Sequence, residues 1–315
     1  MKKLLLASTA LIGLAGAAAA DVTVSGYGRF GLDYNDGAAV GTPKTQVNMR
    51  MRLNIDGSVE TDSGVTFGGR IRLQYTDGAT SNEFAPAMLY VSYEGLRVEV
   101  GNSNTAYDSA ALMYNSEIGY LDRGYGDPQG TFAAYESAPY GAPFDNRMGI
   151  MASYSVGDFN GRISYINPDQ TLSTLPVGTE PEVGISLDYT FGQFTVSAAA
   201  VQDGAFIDGN DQFFVGGEYA INSDANVGIL YFDNGDLNGA AAGDEGEQIT
   251  LYGNYTSGAI TYKGYVANNN NVANLTDTAF GIGMDYDLGG ARLAADVHRS
   301  YSKDTVAGIG VRFDF

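Results

Sequence analysis

A chain of 315 residues with 37 Asp and Glu against 17 Lys and Arg has a formal charge of −20. That balance excludes a nucleic-acid binder, which needs clustered cations facing phosphate. With no cysteine anywhere, disulfides and thiolate metal centres are excluded as well.

Residues 1–20 read as a secretory signal peptide: Lys2 and Lys3, an apolar run from Leu4 to Leu14, then small Ala18, Ala19 and Ala20. The apolar part is nearer ~10 residues than the ~20 a spanning helix needs. Removal would start the chain at Asp21 and, with both lysines gone, take the charge from −20 to −22. No later stretch reaches ~18 consecutive apolar residues. A soluble secreted protein and a membrane β-barrel remain as the two classes.

Alternation decides between them. In 46–56, Val47, Met49, Met51, Leu53 and Ile55 share one face, and Asn48, Arg50, Arg52, Asn54 and Asp56 the other. Period two this strict predicts a strand with one apolar and one polar surface. Phe67, Ile71, Leu73 and Tyr75 oppose Arg70, Arg72 and Gln74 in the next segment, and 96–100 repeats the pattern around Arg97 and Glu99. Sixteen such segments follow one another: 22–34, 45–59, 64–76, 87–94, 96–101, 147–156, 158–167, 183–191, 193–203, 212–221, 224–233, 247–257, 259–267, 278–288, 291–300 and 305–315.

Tight turns such as Glu94-Gly95, Gly157-Asp158, Ser257-Gly258 and Gly289-Gly290 alternate with long runs rich in Asp, Asn, Gly and Pro. Short turns at one end, long loops at the other and an even number of strands are the pattern of an outer-membrane barrel. A sheet in lipid must close on itself, because each unpaired backbone group there costs several kcal/mol. The polar face is too charged for a dry core, so it is expected to face water; sixteen strands leave a channel. The expected fold is all-β, a 16-stranded antiparallel transmembrane barrel spanning 21–315.

The longest run, 102–146, refuses to alternate. It holds Tyr107, Leu112, Met113, Tyr114, Ile118, Tyr120, Phe132 and Tyr135, too much apolar mass for a solvated linker, and the carboxylates Asp108, Glu117, Asp122, Asp127, Glu136 and Asp145. Such a loop needs a wall to lie on. Seven arginines, Arg29, Arg50, Arg52, Arg70, Arg72, Arg97 and Arg162, fall on polar-parity positions of the strands. The expectation is a constriction in which a basic wall faces Asp108, Glu117, Asp122, Asp127 and Glu136 of the loop. Facing fixed charges impose a barrier on what passes and favour small hydrated polar solutes.

Other constellations carry less. Gly26-Tyr27-Gly28-Arg29-Phe30-Gly31 has dinucleotide-fingerprint spacing but lies inside a strand. His298 with Asp296 and Ser300 has no oxyanion hole beside it, so no enzyme activity is expected. The clusters Asp233/Asp236/Asp244/Glu245 and Asp203/Asp208/Asp211 offer hard oxygens to Ca²⁺ without the spacing of a calcium loop. No cofactor is expected beyond a candidate structural Ca²⁺.

The signal, the strands, the long loop after the fifth strand and the ending Ile309-Gly310-Val311-Arg312-Phe313-Asp314-Phe315 resemble the general diffusion porins of Gram-negative outer membranes. Val22-Thr23-Val24-Ser25-Gly26, the turn at 61–68 and Tyr286-Asp287-Leu288-Gly289-Gly290 look most like the porins of purple photosynthetic alphaproteobacteria. The resemblance implies passive diffusion of ions and small hydrophilic solutes across the outer membrane, a homotrimer, and a third loop folded into each pore. It also implies reading of the terminal aromatic Phe315 by the barrel-assembly machinery, and divalent bridges from acidic loops to lipopolysaccharide. A substrate-specific channel with a binding site in the pore, or a structural or adhesive barrel, are the alternative readings; flux and conductance separate them.

Overall fold

The computed structural model describes residues 20–78, 84–237 and 243–315. The signal segment, apart from Ala20, lies outside them. The first strands are β1 (Asp21–Asn35), β2 (Thr45–Glu60), β3 (Thr66–Thr76), β4 (Met88–Tyr93) and β5 (Leu96–Gly101). After the long third loop come β6 (Met148–Val156), β7 (Phe159–Asn167), β8 (Glu182–Phe191), β9 (Phe194–Gln202), β10 (Gln212–Asn222) and β11 (Ala225–Asp233). The last are β12 (Glu247–Ser257), β13 (Ile260–Asn269), β14 (Thr278–Asp287), β15 (Arg292–Arg299) and β16 (Thr305–Asp314). No boundary differs from the alternation reading by more than two residues.

Each strand pairs antiparallel with its sequence neighbours, and β1 pairs with β16 to close the barrel. The closing rungs run from Tyr27 opposite Asp314 to Asn35 opposite Val306. Below them the Gly26 N–H donates to the Phe315 carbonyl at 2.8 Å, and Phe315 N–H returns to Gly26 at 3.0 Å. Gly26 and Gly28, two glycines of the fingerprint-like run, sit under the rings of Phe315 and Phe313; a Cβ on Gly28 would lie 2.4 Å from the Phe313 ring. The tight turns need left-handed backbone: Glu94 and Gly95 have φ of 45° and 85°.

The outer face is apolar on every side, through Val47, Met49, Met51, Ile185, Leu187, Ile229, Leu251, Ile282 and Ile309, all exposed. A belt that size is a membrane surface.

The interior corrects one expectation. The inward face is wet only in part: Phe214, Leu230, Phe232, Tyr252, Tyr265, Ala267 and Ala279 from β10 to β14 pack with Tyr107, Leu112, Met113 and Ile118 of the third loop into a buried cluster inside the barrel. Burying each large side chain there contributes roughly 1.5–3 kcal/mol to holding the loop in place.

Candidate functional site

The third loop runs along the inside of the barrel wall, not across open water. Between Thr105 and Arg123 its backbone closes turns on itself, as in Ala110 N–H to Tyr107 O at 3.2 Å and Ile118 N–H to Arg123 O at 2.9 Å, and the remaining buried backbone groups must be paired from outside. Successive strands supply the partners. Ala106 N–H donates to Ser164 Oγ at 2.9 Å, Ala111 N–H to Asp188 Oδ1 at 2.9 Å, and Tyr125 N–H to the Tyr265 hydroxyl at 2.9 Å. On the return, Thr250 Oγ1 donates to Gly126 O at 2.8 Å, Gln212 Nε2 to Thr131 O at 2.6 Å, and Ala133 N–H to Glu182 Oε2 at 2.6 Å.

Inward glycines make the groove. A Cβ on Gly281 would stand 3.0 Å from Ile118, and one on Gly310 would stand 2.6 Å from both the Tyr120 ring and the Phe30 carbonyl. These positions were legible only as polar-face residues without a side chain.

The loop tip is clamped by charge. Arg123 reaches Asp33 on β1 at 2.6 Å and Asp296 on β15 at 2.9 Å. Asp296 also accepts from His298 Nε2 at 2.8 Å, and His298 Nδ1 meets the Tyr265 hydroxyl at 2.9 Å. The same hydroxyl accepts from Tyr125 N–H, so the chain Asp296–His298–Tyr265 ends on the backbone of the loop. The histidine is thus a buried brace for the loop.

Across from the loop stand β1, β2 and β3. Register places Arg292, Arg312, Arg29 and Arg50 directly opposite one another on four adjacent strands, ending at Thr76. Of the seven arginines expected on the wall, three are neutralised: Arg70 by Asp56 at 2.7 Å, Arg97 by Glu99 at 2.7 Å, and Arg162 by Asp188 at 2.5 Å. Arg97 springs from just above a tight turn, and Arg162 shares Asp188 with Ala111 N–H of the third loop, so these two are paired groups and not free charges of the wall.

Arg29, Arg50, Arg52 and Arg72 form no ion pair among the described residues. Arg50 donates to Thr76 Oγ1 at 3.1 Å and the Tyr27 hydroxyl at 3.4 Å; Arg52 donates to Gln74 at 2.7 Å; Arg72 donates to Asn54 at 3.0 Å and Ser137 Oγ at 2.9 Å. Arg29 donates to Leu121 O at 2.6 Å. Arg72 lies over the Tyr135 ring at 4.1 Å, so the loop's return strand touches the wall here.

The five loop carboxylates do not form one facing row. Asp127 is buried against Ser116 and turned toward the β12 side, where desolvation pushes its carboxyl up to about 7 against the Ser116 hydrogen bond. Glu136 pairs with Arg147 at the loop root, 3.1 Å apart, and Asp108 accepts from the Tyr114 hydroxyl at 2.5 Å. Asp122 binds both Arg292 and Arg312, two wall cations that the sequence reading left out although Arg312 shares inward parity with Gly308 and Gly310. Glu117 is in the field of Arg312, Arg29 and Lys263, yet burial, then the charge of Asp127, pushes it up to about 8.

The acidic clusters of the other loops brace turns. Asp203 Oδ1 accepts from Gly209 N–H and Asp211 Oδ1 from Asp203 N–H, while Asp244 and Asp233 cap Gly246 and Gly235. Among the described residues no group of three or more potential ligands converges as a metal site.

A closed barrel with an apolar belt outside and a charged, loop-narrowed passage inside is a membrane channel. Residues 7–305 match the family model described as Gram-negative porin. A porin from Fuscovulum blasticum is 42% identical over 300 residues, covering 94% of this chain and all of its own length; one from Rhodobacter capsulatus is 26% identical over 317 residues. Solved variants of the Rh. blastica porin superpose with a TM-score of 0.87 at 40% identity, covering 94% of this chain and all of theirs. The chain belongs to the Gram-negative porin family and is an outer-membrane channel.

Proposed function

We propose that ions and small hydrophilic solutes diffuse passively between the β1–β3 wall and the third loop, in a transverse field. Arg29, Arg50, Arg52 and Arg72 set its positive side. The loop's Asp122 sets its negative side, with Asp108 farther along and Glu117 joining as pH rises through about 8. The observation that supports this is the charge balance of the wall, where four guanidinium groups lack carboxylate partners while their neighbours are paired. A guanidinium stays charged at any relevant pH. The passage is therefore less cation-preferring than the −22 of the chain from Asp21 onward suggests.

In this reading residues 1–20 are removed on export, and β1 opens at Asp21. Three copies associate through apolar outer faces, and the remaining belt meets phospholipid and lipopolysaccharide. Phe315, half exposed on the outer face and hydrogen-bonded to Gly26, is the residue the barrel-assembly machinery takes hold of. These assembly statements follow from the family and the exposed belt.

Replacing Arg50, Arg52 and Arg72 by serine tests the field. Reversal potentials in a salt gradient should move toward cation selectivity, most at ~0.01 M, where the Debye length is about 30 Å, and least near 1 M, where it is about 3 Å. An unchanged potential in folded channels at low salt would overturn the reading.

A further inference from the structure

The four unpaired arginines have a chemistry that passive diffusion does not use. Arg29 stands directly opposite Arg50, Tyr27 opposite Arg52, and Arg72 opposite Asn54, two residues from Arg52 along β2. Strands lie ~4.8 Å apart and rise ~3.4 Å per residue, so the four backbone origins span roughly 16 Å, but the side chains lean together: Arg52 and Arg72 meet at Ser137 Oγ, and Arg50 and Arg52 at Tyr27. Like charges that close repel one another unless an anion joins them.

The surroundings are built for oxygen ligands. Ser137 Oγ accepts from Arg72 at 2.9 Å and from Arg52 at 3.4 Å, which uses its lone pairs and leaves its O–H as a donor. Tyr27 has the Arg52 guanidinium 5.0 Å and the Arg312 guanidinium 4.4 Å from its ring centre, and its hydroxyl takes Arg50. Arg29 is only 9% exposed, and its Nε has no hydrogen-bond partner among the described residues. Arg29 therefore contributes its charge to the patch, while the more exposed guanidinium forks of Arg50, Arg52 and Arg72 suit a phosphoryl or carboxylate oxygen.

We propose that Arg29, Arg50, Arg52 and Arg72, with Ser137 and Tyr27, form a saturable site for multivalent oxyanions, the class of small phosphate monoesters, within the diffusion path. It rests on the reading of the lumen as the open passage, and neutral solutes still pass by simple diffusion. Cations from three strands and a donor from the loop converge on one anion, so a dianion gains more than a monoanion does. The phosphate group is the shared feature recognised; the organic part of the solute stays in the water of the channel.

The test measures chloride current through folded channels in a planar bilayer, with glucose 6-phosphate as probe and glucose as its neutral counterpart of similar size. Glucose 6-phosphate should reduce the current along a saturating curve, and glucose only linearly. Arg50→Gln with Arg52→Gln should weaken half-block by about tenfold. Arg72→Gln, at the site's other edge, should weaken it by less. Arg97→Gln with Glu99→Gln, which removes a neutral pair from the wall, should keep the block. A block by glucose 6-phosphate no steeper than by glucose, or one unaltered in Arg50→Gln/Arg52→Gln, would overturn the site. A reversal-potential shift on arginine removal without any saturating block would discard the site and leave the transverse field standing.

Discussion

Strands β2 and β14 have the same alternation and opposite interiors. On β2 the inward positions are Arg50, Arg52, Asn54 and Asp56, half-exposed to the passage; on β14 they are Ala279, Gly281, Gly283 and Asp285, and Ile118 of the loop lies on the glycines. The difference teaches that a barrel of this size need not have one kind of lumen. Where inward side chains are long and charged, the wall keeps its water. Where they are absent, a loop fills the space, and the lumen there becomes a dry core that narrows the wet half.

The comparison breaks most severely at the loop tip, where one residue joins the two halves. Arg123→Ala should leave Asp296, whose side chain is fully buried, without its guanidinium partner and with His298 alone beside it. Removing one partner of a buried pair costs roughly 3–5 kcal/mol, and the partial exposure of Arg123 sets the expectation at the lower end. The tip should come loose, seen as larger open-channel current noise and new protease cleavage near Gly119 to Gly124. Quiet channels with an intact loop would show that packing alone holds it.

A second pair of substitutions sharpens the contrast between glycines. Gly310→Val places a side chain into the Tyr120 ring and the Phe30 carbonyl and should destabilise loop docking by about 1–3 kcal/mol. Gly217→Ala, on the outer face with nothing within 4 Å of the new Cβ, should stay within about 0.5 kcal/mol. Denaturant midpoints of the refolded barrels compare the two, and equal midpoints would contradict the docking role of the inward glycine.

A smaller effect concerns pH. Burial raises Glu117 to about 8, so the folded loop holds a proton that the unfolded chain releases near 4.5. Docking is therefore strongest below that lower value and weakens as pH rises through about 8. Ionisation also adds a negative charge beside Arg29 and Arg312, so cation preference should grow across that range. Glu117→Gln should flatten the change in reversal potential between roughly pH 6 and pH 9, which bracket the transition; an identical pH response in the variant would place the titrating group elsewhere.

The strands were legible because period two is a property of each segment on its own. Val47 to Asp56 announces both its conformation and its two faces without any knowledge of a partner. Loop sidedness followed from turn chemistry, and closure from the cost of unpaired backbone groups in lipid. The route of the third loop was not legible, because a loop has no period and its path is set by side chains far along the chain, such as Ser164, Asp188, Thr250 and Gln212, that meet its backbone. For the same reason Asp127 and Glu136 looked equivalent to Asp122, although one is buried, one is at the root and one reaches the arginine ladder. The pairing of Arg70, Arg97 and Arg162 could have been suspected: Glu99 is two residues from Arg97 on the same face. Arg292 lay outside the counted wall because its strand is distant in sequence, and only barrel closure brings it beside Arg312.

The most direct measurement of the two-sided lumen uses the absence of native cysteine. Single cysteines at Arg52, Asn54, Leu230 and Ala279 would be treated with a water-soluble thiol reagent during single-channel recording. Arg52→Cys and Asn54→Cys should react quickly, each modification lowering the current in one step, while Leu230→Cys and Ala279→Cys stay silent beneath the loop. Comparable reaction rates at all four positions would mean that water reaches both walls and that the third loop does not divide the lumen.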